Sequence, residues 1–236
     1  MKNLCKDCYF LLVFLVLPAV ASAQSVSLGA DFVSRYVWRG TDFGESVSVQ
    51  PSLSVSGGGF EIGSWASYSA GASGSFANEH DLWIGYSVET AQAGTVGFGI
   101  TDYYFPSPKA EGFFNFDGGG NGAHFLELYM SYSAPVSFPV TLYAAVMTHN
   151  DPDNSLYLEG SLPVTVGGTS MGVTLGMAVG QSEFYGVESA SVINMGLSAE
   201  KELKITDDFS LPLSVAYILN PTHERSFLVF GFSLGI

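Results

Sequence analysis

Apolar residues alternate with small or polar residues in short segments along almost the whole chain. Side chains of a β-strand point alternately to its two faces, so a period of two predicts strands. The last residues show the pattern most plainly, because Leu228, Phe230, Phe232, Leu234 and Ile236 share one face. The opposite face narrows to glycine and serine. Such a strand needs an apolar environment on one side only.

Twelve segments have this alternation or a β-rich composition, separated by clusters of Gly, Pro, Asn, Asp and Ser. Most are about ten residues long, as a tilted strand across a bilayer requires. Their less apolar face carries mainly Gly, Ser, Ala and Asn, whereas the outer face of a soluble sandwich would carry charged residues. The predicted strands are 26–39, 46–56, 60–69, 80–89, 95–104, 123–132, 140–148, 155–162, 170–180, 191–200, 210–219 and 226–236.

We therefore predict an all-β fold, a transmembrane antiparallel up-and-down β-barrel of about 12 strands, closed by pairing of the first and last strands. Closure leaves no free strand edge in lipid. Tyr36 and Trp38 continue the apolar face of the first predicted strand, so we expect them to face lipid near the outer rim. The connectors expected outside are longer on average than those expected inside, although segment 201–209 departs from this pattern. The alternative is a soluble secreted β-sandwich.

The N-terminal segment has the layout of a cleaved secretory signal. Two lysines precede an apolar run over 9–17, and the small residues Ala21, Ser22 and Ala23 follow. We expect cleavage after Ala23, giving a signal peptide, 1–23, and one barrel domain, 24–236. Both cysteines lie in the signal, so we expect no disulfide in the mature protein.

The composition is acidic but poor in charge. The formal net charge is −14, yet charged residues make up 13% of the chain and aromatic residues 14%. Soluble domains usually carry about 25% charged residues. The negative charge argues against nucleic acid as a partner, and the low charge density argues against an ordinary soluble surface.

One block of sequence carries a family resemblance. Residues 31–46 read D-F-V-S-R-Y-V-W-R-G-T-D-F-G-E-S, and residues 49–53 read V-Q-P-S-L. The block resembles the N-terminal signature of the TorF-type porins, a Gram-negative outer-membrane family also known by the domain label Gcw_chp, with its S-x-Y-x-x-R-G pattern. Fragments at 79–86, 124–132 and 156–161 look similar too. The resemblance implies an outer-membrane barrel with a porin-like role and implies no catalytic residues.

Two positions depart from the family's usual pattern. Gln50 precedes Pro51, whereas the family's glutamine is expected after the proline. The terminal residue is Ile236 rather than the phenylalanine usual in barrel proteins.

Alternation sends most charged side chains to the lumen, since a charge on the lipid face at mid-depth costs about 2–4 kcal/mol for Arg or Lys. Two interpretations stay open. Carboxylates facing Arg35 and Arg39 would create a transverse field that orients polar solutes, or the same charges would form an internal salt-bridge network that plugs a narrow barrel. The lumen-facing candidates are Asp31, Arg35, Arg39, Glu61, Asp81, Glu89, Glu127 and Glu159.

Candidate chemistry for an enzyme or a metal site is weak. The histidines at 80, 124, 149 and 223 fall near four different connectors and specify no common geometry. Segments 115–117 and 149–154 group oxygen ligands but match turn formation better than a calcium loop. We therefore predict no catalytic, cofactor-binding or metal-binding residues.

The predicted function is passive diffusion of small polar solutes through an outer-membrane channel, with a mild cation preference from the acidic lumen. A non-conducting barrel with a structural, adhesive or assembly role is the alternative, and an enzyme at the barrel rim is a further one. The expected partners are outer-membrane lipid and lipopolysaccharide, the barrel-assembly machinery during insertion, and the solutes. The expected location is the cell outer membrane, reached through the cleaved signal.

Overall fold

The structure is a computed structural model that describes residues 25–71, 78–106, 112–135 and 139–236. The predicted signal peptide, 1–23, lies outside the described residues. Within the described ranges no helix is long and apolar enough to cross a membrane.

Twelve strands form a closed antiparallel barrel in which each strand pairs with the next one along the chain. The first strand pairs with the last, with Ala30 opposite Leu234 and Phe32 opposite Phe232. The predicted all-β class, number of barrel strands and closure are therefore confirmed. Two short strands form a separate hairpin. The strands are β1 (Ser25–Val33), β2 (Val37–Trp38), β3 (Thr41–Asp42), β4 (Ser48–Gly57), β5 (Phe60–Ser69), β6 (Glu79–Thr90), β7 (Gly94–Tyr104), β8 (His124–Ser133), β9 (Thr141–His149), β10 (Leu156–Val166), β11 (Thr169–Ala178), β12 (Ser191–Lys204), β13 (Ser210–Asn220) and β14 (Arg225–Gly235).

The outer face of the barrel is a continuous apolar surface. On β14, Leu228 and Phe230 are each 61% exposed, and on β13 Tyr217 lies opposite Leu228. A soluble monomer rarely exposes a contiguous apolar area on this scale. An apolar band around a closed barrel is typical of barrels that span a bilayer.

The inner face is rich in glycine because aromatic rings lie across it. A Cβ added to Gly176 would lie 2.0 Å from the hydroxyl of Tyr157, and one added to Gly63 would lie 2.2 Å from the Trp83 ring. Each glycine therefore leaves room for a ring from a neighbouring strand. The small residues of the inner face make space for large ones beside them.

The connectors differ in length at the two ends of the barrel. The end that carries both termini has connectors 58–59, 91–93, 134–140, 167–168 and 205–209, and we call it the short-turn end. The opposite, long-loop end has connectors 34–47, 70–78, 105–123, 150–155, 179–190 and 221–224. The long connector predicted at 201–209 spans only 205–209 in the structure, because β12 continues to Lys204.

The first strand is shorter than predicted. It ends at Val33, and residues 34–47, which we call the inward hairpin, turn into the barrel and contain β2 and β3. The prediction that Tyr36 and Trp38 face lipid is wrong: Tyr36 packs against Trp65, and Trp38 packs against Tyr103. The alternation pattern gave a wrong result here because the short strand β2 has the same period of two as β1.

Candidate functional site

The inward hairpin turns at Arg39 and Gly40. Val37 pairs with Asp42 and Trp38 with Thr41, so two residues connect the short strands. Arg39 has φ 47° and Gly40 has φ 75°. Two successive positive φ values define the tight turn that fits a two-residue hairpin. The R-G pair of the sequence motif is therefore the tip of a hairpin inside the barrel.

The tip lies against the barrel wall at β12 and β13. Asn220 at the end of β13 donates a hydrogen bond from Nδ2 to the carbonyl oxygen of Gly40, at 3.2 Å. A Cβ on residue 40 would lie 1.9 Å from the carbonyl oxygen of Ile193. Only glycine combines the positive φ with this close approach. These contacts fix the position of the hairpin tip in the lumen.

Arg39 forms a buried two-pronged ion pair with Glu127 of β8. Its Nη1 donates to Oε2 at 2.6 Å and its Nη2 donates to Oε1 at 3.0 Å. Arg39 is 8% exposed and Glu127 is fully buried. Breaking a buried pair by removing one partner costs about 3–5 kcal/mol, because the remaining charge is left uncompensated. The pair therefore fixes the hairpin against the wall.

Three tyrosines complete the hydrogen bonding of this ion pair. Tyr103 and Tyr143 donate to Glu127 Oε1 at 3.0 and 2.9 Å. Arg39 also donates to the hydroxyl of Tyr185 at 2.6 Å. Burial raises the pKa of Tyr185 to about 12, so its oxygen accepts this bond as a neutral phenol. We call these five residues the arginine cluster.

Aromatic faces enclose the guanidinium of Arg39 as well. Its Cζ lies 4.3 Å from the ring centroid of Trp38 and 4.2 Å from that of Tyr157. Cation–π contacts strengthen when water is excluded, as it is around this buried arginine. Lysine could form neither the two-pronged bond nor the stacked arrangement.

The hairpin reaches several strands of the barrel wall at once. The ring centroid of Tyr36 lies 5.2 Å from that of Trp65 on β5, and the ring centroid of Trp38 lies 5.4 Å from that of Tyr103 on β7. Together with the contacts to β8 and β13, these place the hairpin across the lumen rather than along one side. The hairpin therefore narrows the lumen at this level.

Cavities lie next to the hairpin. One of about 280 Å³ is lined by Val37, Arg39 and Tyr143, among others, and one of about 530 Å³ is bounded by loops of the long-loop end. Trp38 lines both. A larger depression, of about 580 Å³, lies around Gly160 and is lined mostly by apolar residues of the outer face, such as Leu142 and Leu158.

Strand register places the predicted lumen residues. Asp31, Glu61, Asp81, Glu89, Glu127 and Glu159 all share the face opposite the exposed apolar residues of their strands. Of the predicted lumen residues, only Arg39 and Glu127 pair with each other. Arg35 pairs instead with Asp42, inside the hairpin segment itself. Glu61 accepts a bond from Trp83 Nε1 at 2.8 Å, and Glu159 accepts one from Asn194 at 3.1 Å.

Sequence reasoning missed a second buried carboxylate beside Asp81. Glu79 is 1% exposed and Asp81 is 9% exposed, and they lie two residues apart on the inward face of β6. Oε2 of Glu79 and Oδ1 of Asp81 have no hydrogen-bond partner among the described residues. The alternation pattern could have revealed Glu79, because it lies two residues before Asp81 and so on the same face of the strand. The tyrosines of the arginine cluster were also missed. Tyr103 and Tyr143 lie on the inward face of their strands, the face that otherwise carries small residues.

The histidines do not meet in one place. His124 contacts Asp102 and the carbonyl of Phe113 on the outer side of the wall. His223 Nε2 lies 2.9 Å from the carbonyl oxygen of Tyr185 at the long-loop end. A rim enzyme built on a histidine set gains no support from this arrangement.

Comparisons with known proteins agree with the barrel. Among solved structures, the chain is similar to a KdgM porin, with a TM-score of 0.52, 11% identity and coverage of 89% of this chain and 97% of that one. It is also similar to the COG4313 outer membrane channel from Pseudomonas putida F1, with a TM-score of 0.42, 14% identity and coverage of 90% and 93%. The first likeness supports the fold.

A search of curated proteins gives no match. The model of the family described as "Bacterial protein of unknown function (Gcw_chp)" matches residues 19–228, nearly the whole chain. This match agrees with the resemblance carried by the S-x-Y-x-x-R-G block, whose arginine and glycine form the hairpin tip. The chain belongs to the Gcw_chp family.

Proposed function

We propose that this protein is an outer-membrane channel for passive diffusion of small polar solutes, and that the inward hairpin forms its constriction. The observation that carries the proposal is the buried Arg39–Glu127 pair, which holds a loop across the lumen of a closed barrel. The apolar outer face supports a place in lipid, and the signal-like N-terminal sequence supports export to the outer membrane.

The charges around the passage favour cations. Inward carboxylates lie towards both ends of the barrel, with Glu61 and Glu89 near the short-turn end and Glu159 in the long-loop half. The positive charge of Arg39 is matched by Glu127. The net field in the passage is therefore negative, and rings of carboxylates favour cation passage.

Conductance in planar bilayers tests the constriction. We compare the wild-type protein with a variant in which residues 36–44 are replaced by a short Gly-Ser turn. The deletion should raise the single-channel conductance several-fold, because the contacts that narrow the lumen leave with the hairpin. Glu188→Gln, an exposed carboxylate in connector 179–190, is the matched control and should conduct as wild type.

The same recordings decide between this function and a non-conducting barrel. The dense packing around Arg39 favours the non-conducting barrel, because a fully satisfied buried network leaves little reason to open. Silence from the wild type together with conductance from the deletion variant would establish a plugged barrel. Equal conductance from both would remove the hairpin from the mechanism. A reversal potential favouring anions would contradict the cation preference.

Localisation has a separate test. Protein expressed with its N-terminal segment should be recovered in outer-membrane fractions, where it would contact lipid and lipopolysaccharide after insertion by the barrel-assembly machinery. Recovery from the periplasm without detergent would contradict the membrane proposal.

A further inference from the structure

Five aromatic rings at the long-loop end form a closed circle. Their successive centroid separations are 6.2 Å from Trp38 to Phe43, 6.3 Å from Phe43 to Phe105, 5.8 Å from Phe105 to Phe125, 5.4 Å from Phe125 to Phe184, and 6.1 Å from Phe184 back to Trp38. All lie in the range of interacting aromatic pairs. We call this set the aromatic collar.

The collar draws its rings from three loops and one strand. Two belong to the inward hairpin, one directly follows β7, one lies on the inward side of β8, and one comes from connector 179–190. All five rings line the cavity of about 530 Å³, which is also lined by Thr41, Asn121 and Tyr185. Pockets for small molecules have this size, with mostly apolar walls and a few polar groups. The collar is thus a built cavity and not an incidental cluster of rings.

The lining carries no fixed charge among the described residues. Its polar side chains are Thr41, Asn121 and Tyr185, all uncharged or held neutral. The charged groups beside it are already paired: Arg39, which lies against Trp38, pairs with Glu127, and Asp42 pairs with Arg35. A charged solute would lose water here without meeting a counter-charge, which is costly.

We propose that the aromatic collar binds an uncharged, ring-shaped solute that has one flat hydrocarbon face and hydroxyl groups at its edge, the chemistry of a neutral sugar. The rings would pack against the hydrocarbon face, and Thr41 and Asn121 would meet the hydroxyls. A solute arriving from the long-loop end reaches the collar before the arginine cluster. The inference deepens the proposed function by naming its solute class, but binding itself requires no conduction.

Tryptophan fluorescence of the detergent-solubilised protein tests the proposal, with glucose and maltose as probes. Trp38 is in the collar, whereas Trp83 hydrogen-bonds Glu61 near the short-turn end. The emission change on adding maltose should disappear in Trp38→Phe and persist in Trp83→Phe. Glucuronate and glucosamine, which carry opposite charges on the same ring, should bind several-fold more weakly than glucose.

Two substitutions locate the binding. Phe184→Leu and Phe105→Leu keep apolar volume but remove a ring, so each should weaken maltose binding about three- to tenfold. Phe114→Leu is the matched control, because Phe114 is 87% exposed and outside the collar, and it should bind as wild type. Circular dichroism and gel mobility with and without heating confirm that each variant is folded.

Several results would overturn the proposal. They are an emission change that survives in Trp38→Phe, equal affinities in Phe184→Leu, Phe105→Leu and Phe114→Leu, tighter binding of glucosamine than of glucose, and no binding of either neutral sugar. Collar-dependent binding by a protein that shows no conductance would uphold the collar and contradict the channel. Conductance without sugar binding would uphold the channel and contradict the collar as a sugar site.

Discussion

Nδ1 of His124 lies 2.9 and 3.0 Å from the two carboxylate oxygens of Asp102, on the outer side of the barrel wall. Asp102 shares its face with Val96 and Phe98, the exposed apolar residues of β7. The other ring nitrogen of His124 lies 2.6 Å from the carbonyl oxygen of Phe113, and Phe116 stacks on the ring at 3.8 Å. Loop residues from 112 onward therefore cover a polar pair that would otherwise face lipid.

This pair gives a first prediction. His124→Phe keeps the stacking but removes the partner of Asp102, so the free energy of unfolding should fall by about 2 kcal/mol, the usual range for a hydrogen bond to a charged group. Urea titration in micelles measures it. The double variant Asp102→Leu/His124→Phe should regain most of the loss, because no carboxylate is then left unpaired. An unchanged single variant would contradict the assignment.

Gly40 gives a second prediction. In Gly40→Ala the new Cβ would meet the carbonyl oxygen of Ile193, so the hairpin tip should leave its position and expose Arg39. Trypsin cleaves after arginine, and mass spectrometry should detect the cut after residue 39 in the variant and little of it in the wild type. Gly167→Ala, with φ +57° and no atom within 4 Å, carries only the backbone strain and should stay protected.

The ion pair gives a third. Glu127→Gln leaves Arg39 buried without a counter-charge, and the loss of stability should be about 3–5 kcal/mol. Arg39→Met/Glu127→Leu should be closer to wild type, since it removes both charges. Equilibrium unfolding of the three proteins, with Glu188→Gln as the exposed control, measures the difference. A small loss in Glu127→Gln would mean that the pair is not buried as described.

Barrel closure gives a fourth. Asp31 lies opposite Ser233 where β1 pairs with β14, and both side chains face inward. Asp31→Cys/Ser233→Cys should therefore form a disulfide after insertion, visible as a mobility shift that a reductant reverses. Asp31→Cys/Gly231→Cys keeps both side chains inward but is shifted by two residues along β14, and it should cross-link much less. Equal cross-linking would contradict the register.

Strand pattern predicted the barrel because every barrel strand separates an apolar outer face from an inner face of different composition. The terminal strand illustrates this, since the face with Leu228 and Phe230 is exposed as expected. The pattern failed where alternation had another cause. Residues 36–38 alternate within a hairpin in the lumen, so their parity relative to β1 has no meaning. It also failed at Asp102, where a histidine and a loop allow a carboxylate on the outer face.

The candidate site was partly readable for the same reason. Parity placed Glu127 and Glu159 on the inner face, but no periodic pattern pairs Arg39 with a residue 88 positions away. That pairing depends on a loop folding back into the barrel, which is tertiary information. The five rings of the aromatic collar come from three loops and one strand, and no pattern along the sequence groups them.

The position of the hairpin tip has a consequence for the order of folding. Gly40 is among the first residues of the barrel to be synthesised, yet it rests on Ile193 and on Asn220, which follows it by 180 residues. Contacts between such distant positions form late, because a long stretch of chain must be ordered before them. The lumen loop is thus fixed only after β13 has joined the wall, so protection of Arg39 from trypsin reports that the barrel is nearly complete.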